Sequence, residues 1–486
     1  MTVLNDERME RFKNYLDRNN MNHNQYQYDG LQWILNNEKN NDPVCSIRGG
    51  FIADEMGLGK TILMIGTMLC NFVSKTLIVV PPVLVNQWYI QIYRTTGHKP
   101  IIYHGDNKKR ITLEQLNKAT IVITTYGAIT LTRKQIKDDI VTLLHKVAWG
   151  RIIFDEAHHL RNAKTTRYIG AKMLTSRIRW LVSGTPIQNS KNDFYSLCSL
   201  IRLPASFYTD NANLKTLARN FILKRSKKQV GILMTNVVLD KNIVNWCNSK
   251  EMLLSKVIHS ALAFSKVSNK MSDGLMNSIQ EGGALSLLLR ARQSCIYPKL
   301  MSNTLDKLVK LGVIQDSSSY KEALDHSSKL DSAVNKILLR KDNGCGKLIF
   351  CHFREEIDEI ASRLRAAGMN NVATFDGRTT SSKRHNILNR KNDVLILQIQ
   401  TGCEGLNLQE NYSEIYFISP HWNPAIEDQA IARCHRIGQT KPVYVERFEM
   451  HSFIPDEDQK IDTRTVDNYV GSVQDRKRII SSEILQ

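Results

Sequence analysis

The chain has 486 residues and nine cysteines, but the cysteines form no recognisable framework. They are scattered, with no C-x-x-C pair and no cysteine–histidine spacing that would gather four zinc ligands. They read as reduced thiols of an intracellular protein. Cys351 beside His352 lies in the apolar run KLIFCHF, which reads as a buried strand rather than a ligand pair. Long apolar runs are also missing: no stretch approaches the roughly 18 residues that a membrane span needs. The first segment, MTVLNDERMERFKNYLDRNN, is polar and amphipathic, without the apolar core of a signal peptide, so the expectation is a protein neither secreted nor embedded. Low-complexity and fibrous patterns are absent, and 42% hydrophobic with 23% charged residues is ordinary globular composition.

Negative charge is in deficit, with 47 Asp and Glu against 66 Lys and Arg, a formal net charge of +19. That balance favours a polyanionic partner, nucleic acid first, because each neutralised phosphate releases counterions. A solvated basic surface gives the same number, so motifs must decide.

A chain of this length exceeds what one core usually supports, and two domains are expected. Over the first 200 residues short apolar runs recur: GGFIAD (49–54), TLIVV (76–80), IVITT (121–125), RIIF (151–154) and WLVSG (180–184). Segments long enough for crossover helices separate them, which predicts a parallel sheet covered on both faces. The rhythm returns in KLIFC (347–351), VATF (372–375), VLILQI (394–399), EIYFI (414–418) and VYVERF (443–448). Between these two sets, over 205–328, the pattern reads as mainly helical. The expected division is an N-terminal helical segment 1–42, a first α/β lobe 43–204, a helical insert and linker 205–328, a second α/β lobe 329–465 and a tail 466–486. The basic run Lys224-Arg225-Ser226-Lys227-Lys228 in the insert reads as a DNA contact, a solvated helix end or an import signal.

Chemistry enters with Asp54-Glu55-Met56-Gly57-Leu58-Gly59-Lys60-Thr61, which follows an apolar strand and opens an apolar-periodic helix. That is the context of a phosphate-binding loop. Backbone N–H groups close around phosphate oxygens at the positive end of the helix; Lys60 reaches the β- and γ-phosphates of ATP and Thr61 holds Mg2+. About one hundred residues on, RIIF leads into Asp155-Glu156-Ala157-His158 at a predicted strand end. Asp155 is placed to orient Mg2+ and Glu156 to accept a proton from the attacking water. Alone, such adjacent acids also fit a solvated turn. Ser183-Gly184-Thr185-Pro186-Ile187-Gln188-Asn189 ends another predicted strand, where hydroxyls can sense the nucleotide, although an ordinary glycine–proline turn explains the same residues. In the second half, QAIARCHRIGQ (429–439) places Arg433 and Arg436 three apart, on one face if the segment is helical. Such arginines can stabilise charge developing on the γ-phosphate; a salt-bridged surface helix is the bland alternative.

In this order these residues resemble the Swi/Snf family of helicase superfamily two, over nearly the whole chain. YQYDGLQW (26–33) looks like the family's adenine-recognition segment, with Gln27 reading the base. TLIVVPPVLVNQW (76–88), ITTYG (123–127), FILKRSKK (221–228), LRARQSCIYP (289–298) and HWNPAIEDQAIARCHRIGQ (421–439) are further matches. The resemblance implies two RecA-like lobes, ATP and Mg2+ as cofactors, and a nuclear motor tracking double-stranded DNA to remodel nucleosomes or displace bound proteins. It implies coupling roles for Ser183, Gly184, Thr185, Gly405 and Gln429. The wording WNPAIEDQAIAR is similar to the repair-associated branch, without its RING insert. The compact length is similar to members encoded by large DNA viruses, baculoviruses in particular, which would place the protein in a host nucleus and in transcription. A monomer is expected, with no membrane partner. Cys403, Gln398 and Ser419 depart from the family pattern, where glycine, serine and aspartate are usual. Two other functions stay open: a transcriptional coactivator scaffold in which hydrolysis is dispensable, and a helicase that separates strands.

Overall fold

In the computed structural model, residues 2–39, 47–185, 190–262, 283–402, 406–453 and 464–485 are described. The chain divides into two compact units, Met1–Leu233 with Lys477–Gln486, and Met234–Arg476.

The first unit holds strands β1 (Arg48–Ile52), β2 (Thr76–Val80), β3 (Ile101–Tyr103), β4 (Ile121–Thr125), β5 (Trp149–Asp155), β6 (Ser176–Val182) and β7 (Ile222–Leu223). They form one sheet in the order β3-β4-β2-β5-β6-β1-β7, and every neighbouring pair is parallel. The apolar runs are doubly buried. Leu77, Val79, Ile152 and Phe154 enter the core on one face, while Ile78, Val80, Ile153 and Trp180 enter the core on the other. The helices Thr2–Arg18 and Gln25–Lys39 supply Phe12, Leu16, Leu31 and Leu35 to that second core. These two helices are therefore part of this lobe in their packing.

A buried ion pair fixes the helix Gln25–Lys39 to the sheet. Glu38 and Arg151 have no exposed side-chain surface, and their N–O contacts are 2.5 and 2.6 Å. Trp180 Nε1 and Asn71 Nδ2 donate to the same carboxylate at 2.8 and 2.6 Å, and Arg151 also donates to the Asn71 carbonyl. Burial of charge is tolerated here because donors and acceptors are matched.

The second unit holds β8 (Val237–Val244), β9 (Gly346–Cys351), β10 (Val372–Phe375), β11 (Val394–Gln398), β12 (Tyr412–Phe417) and β13 (Val443–Met450), in the order β10-β11-β9-β12-β13-β8 and again all parallel. Leu348, Phe350, Leu395 and Phe417 face one core, and Ile349, Cys351, Ile396 and Tyr416 the other. Both halves are thus α/β with a parallel sheet between two apolar layers.

The described residues of 205–328 are mostly helical, with Ser249–Ala261 and Gly283–Ile296 the longest helices, but they also hold two strands that the sequence reading did not mark: β7 extends the first sheet beyond β1 and β8 extends the second beyond β13. β8, VVLDKNIV, is an edge strand with polar residues in its centre and mostly exposed side chains, so it carries no apolar alternation. The tail 466–486 is a helix, Val466–Leu485, whose Val466 and Val470 are buried in the second core.

Candidate active site

Strand order explains why residues more than 100 positions apart meet. β5, β6 and β1 are adjacent, with Asp155 and Ile52 both level with Val182 of β6. The three loops that leave the carboxyl ends of these strands carry Asp54–Thr61, Asp155–His158 and Ser183–Thr185, the place where ligands bind in open α/β sheets.

The first loop turns through Gly57 (φ 93°) and Gly59 (φ 81°), left-handed conformations that favour glycine. Gly59 precedes the helix Lys60–Cys70. Lys60 Nζ donates to the Asp54 carbonyl at 2.8 Å. A Cβ on Gly184 would lie 3.3 Å from that nitrogen and 3.1 Å from Met56 Cγ, so the Ser183–Thr185 loop packs directly on the first loop. Ser183 N donates to the Ile52 carbonyl, and Thr185 N to Ser183 Oγ. Leu58 is buried beneath the loop, and Glu55 stands at its rim. Thr61, next in the helix, is half-buried.

Asp155 is held from three sides. Trp88 Nε1 donates to Oδ2 at 2.8 Å, Glu156 N to Oδ1 at 3.0 Å, and Tyr126 OH to the Asp155 carbonyl at 2.6 Å. Burial, then the neighbouring Glu156, pushes its carboxyl up to about 6, against the opposing pull of Trp88 and Lys60. A cation is what such a site favours, because it removes the repulsion between the two acids. Glu156 has φ 53°, a left-handed backbone unusual for a residue with a side chain. His158 Nδ1 lies 3.3 Å from Glu156 Oε2 and 3.5 Å from Ser183 Oγ, joining the acidic turn to the hydroxyl loop.

Gln27 lies in the helix Gln25–Lys39 and is buried, its Nε2 3.0 Å from where a Cβ on Gly59 would be. Among the described residues its Oε1 has no hydrogen-bond partner. A buried acceptor left open beside a phosphate-binding loop fits an amino group on a base. The donor set therefore fits ATP with Mg2+: N–H groups and Lys60 for phosphates, Thr61 and Asp155 for the metal, Gln27 for adenine.

In the second lobe Gln429 is buried on the helix Pro424–Cys434, and Arg433 is in its last turn. The helix stops at Cys434, so the condition for Arg433 and Arg436 to share a helical face is not met. Gln439 Nε2 donates to the Cys434 and Tyr412 carbonyls, and Gly438 has φ 97°, so the chain turns there. Arg436 instead pairs through Nη1 with Asn407 Oδ1. Burial and nearby Arg433 pull its guanidinium below the usual arginine range. Gly405 and Pro186–Asn189 lie outside the described residues, as does Cys403. Ser419 donates to Asp467 Oδ1 at 3.1 Å, and Asp467 pairs with Lys329, both buried. A carboxylate from the C-terminal helix thus stands beside the serine.

The basic run 224–228 is not a solvated helix end. Arg225 pairs with buried Asp54, and Lys227 with Glu55, which places the run against the phosphate-binding loop. The sequence reading quoted Trp88, Tyr126, His158 and Arg225 within longer runs but gave none of them, nor Asn407, a part in holding the site. Their contacts depend on strand order, and local spacing does not give them.

Residues 26–300 match the SNF2-related domain, and residues 329–438 the helicase conserved C-terminal domain. The chain belongs to the SNF2-related family. A "Probable global transactivator" of Orgyia pseudotsugata multicapsid polyhedrosis virus is 26% identical over 481 residues, covering 93% of this chain and 89% of that protein. The "ATP-dependent DNA helicase DDM1" of Arabidopsis thaliana is 25% identical over 470 residues, covering 87% of this chain but 58% of the plant protein. Among solved structures, the Sulfolobus solfataricus SWI2/SNF2 ATPase core in complex with dsDNA has a TM-score of 0.40 and 22% identity, covering 95% of this chain and 93% of that one. The SNF2-related assignment accounts for the two α/β lobes and for an ATP-type site in the first.

Proposed function

We propose that this SNF2-related chain hydrolyses ATP to move along double-stranded DNA without separating its strands, and so displaces or remodels proteins bound there. The observation that carries the proposal is the convergence of Lys60, Asp155, Glu156, His158 and Ser183 at three adjacent strand ends. Mg2+, when bound with the nucleotide, offsets charge on the β- and γ-phosphates. Thr61 and Asp155 are the residues to hold it, Trp88 and Tyr126 keep Asp155 in place, and Lys60 takes the phosphates. Glu156 accepts the proton of the attacking water, and its bond to His158 orients that carboxylate. Arg433 and Arg436 of the second lobe supply the positive charge that the transferring phosphoryl group needs. The duplex preference rests on the SNF2-related assignment together with the formal charge of +19. A role in viral transcription, and with it a host-nuclear location, rests on the viral transactivator matched over most of both chains. The basic run 224–228 lends no support to import, because two of its cations are paired at the phosphate-binding loop.

Triplex displacement run beside strand displacement tests the proposal. A tracking motor strips a third strand from duplex DNA in the presence of ATP and releases no single strands. Release of single strands from plain duplex would instead make the protein an unwinding helicase, and an inactive protein in both assays would leave a scaffold.

A further inference from the structure

We infer that Arg225 is a positioning residue that locks the base-reading turn at Gln27 to the phosphate-binding loop, and thereby sets adenine selectivity from outside the pocket. The inference rests on the nucleotide reading above and deepens it. Arg225 lies two residues beyond β7, the strand that pairs with β1 and so runs beside the loop that β1 feeds. Its guanidinium makes a two-pronged contact with Asp54, Nε to Oδ1 at 3.0 Å and Nη2 to Oδ2 at 2.5 Å. Its third arm, Nη1, donates to the Tyr26 carbonyl, and its centre lies 5.4 Å from the Tyr26 ring centroid.

The Tyr26 carbonyl and the Gln27 N–H belong to one planar peptide unit, so holding the first orients the residue that follows. On the other side, Asp54 is the first residue of the phosphate-binding loop and is fully buried, so its carboxylate depends on that partner. The backbone repeats the link: Glu55 N donates to the Arg225 carbonyl at 2.9 Å, and Lys227 N to Glu55 Oε2 at 2.8 Å. A planar fork gives a two-pronged pair to the carboxylate and a third donor to the carbonyl in one fixed geometry, which the compact ammonium of a lysine does not reproduce. The helix face opposite makes room for it. A Cβ on Gly30, one turn after Tyr26, would stand 2.7 Å from Nη2.

The test measures dissociation constants for ADP and GDP by calorimetry, because their ratio reports base reading separately from phosphate binding. Arg225→Met removes the fork, and Gly30→Ala displaces it with every charge left in place. In the native protein ADP binds more tightly than GDP, and Gln27→Ala narrows that ratio. Arg225→Met is expected to reduce the ratio by about tenfold or more, Gly30→Ala to shift it in the same direction, and Gln27→Ala to add less than about twofold on top of Arg225→Met. A merely structural arginine would lower the melting temperature and leave the ratio alone; a ratio unchanged in both variants, with Gln27→Ala still effective, overturns the inference. If Arg225→Met does not fold, Gly30→Ala decides by the same ratio. Native protein that binds no ADP, or a Gln27→Ala protein with native selectivity, would instead sink the nucleotide reading and this inference with it.

Discussion

Trp88→Phe removes the side-chain donor that reaches the Asp155 carboxylate, at the end of β5, from the helix Val85–Thr96. Trp88 is 1% exposed and gives its Nε1–H to Oδ2 at 2.8 Å. Phenylalanine keeps an aromatic ring in the pocket and loses the donor. A hydrogen bond to a charged group is worth about 1.5–3 kcal/mol. If all of it serves to place Asp155 for Mg2+, the half-saturating Mg2+ concentration for ATP turnover rises about 10- to 150-fold. The smaller ring also leaves a void, which costs about 1–3 kcal/mol of stability by itself. The assay is therefore a Mg2+ titration of turnover at fixed ATP, run well below the unfolding temperature, beside ADP binding in EDTA. Metal-free ADP binding should stay near native, because Trp88 touches no phosphate-binding residue in this account. A protein with reduced stability and a native Mg2+ requirement would refute the reasoning and make Trp88 a packing residue only.

Glu38→Gln leaves the Arg151 guanidinium buried without its anion and should cost about 3–5 kcal/mol in urea unfolding of the first lobe. Replacing both, as Glu38→Leu with Arg151→Met, should recover most of that; a single-variant loss below about 1 kcal/mol would contradict the account. His259 is held neutral in the second lobe. Its Nδ1–H donates to the Ser255 carbonyl, its Nε2 accepts from Val466 N, and burial pulls its pKa down to about 4 from 6.5. The unfolded chain takes up the proton first, so stability is lost as pH falls from about 6.5 towards 4, by up to roughly 3 kcal/mol. Denaturation curves across that range should show the slope in the native protein and a flatter one in His259→Gln; identical slopes would count against it.

The strands that carry the site were legible because a strand buried on both faces is written as an unbroken apolar run, as in TLIVV and IVITT. β3 is three residues long and β7 two, too short for any period, and β8 lies at an edge with Asp240, Lys241 and Asn242 in its middle. Phosphate-binding and acidic motifs are local, so their residues can be named from spacing alone. The groups that hold them are not local. Trp88 reaches Asp155 across 67 positions, and Arg225 reaches Asp54 across 171, distances that only strand order closes. Whether QAIARCHRIGQ is helical as far as Arg436 could not be read from spacing, since the Cys434 carbonyl at the helix end is taken by the Gln439 side chain and the chain turns at a left-handed Gly438.

The most direct measurement is the rate of ATP turnover by the native chain with duplex DNA, single-stranded DNA, RNA and no nucleic acid, with Lys60→Ala carried alongside. Duplex is expected to raise the rate by about tenfold or more over every other condition, and Lys60→Ala to remove turnover altogether. A native rate indifferent to duplex, or turnover that persists in Lys60→Ala, would contradict a DNA-driven ATPase.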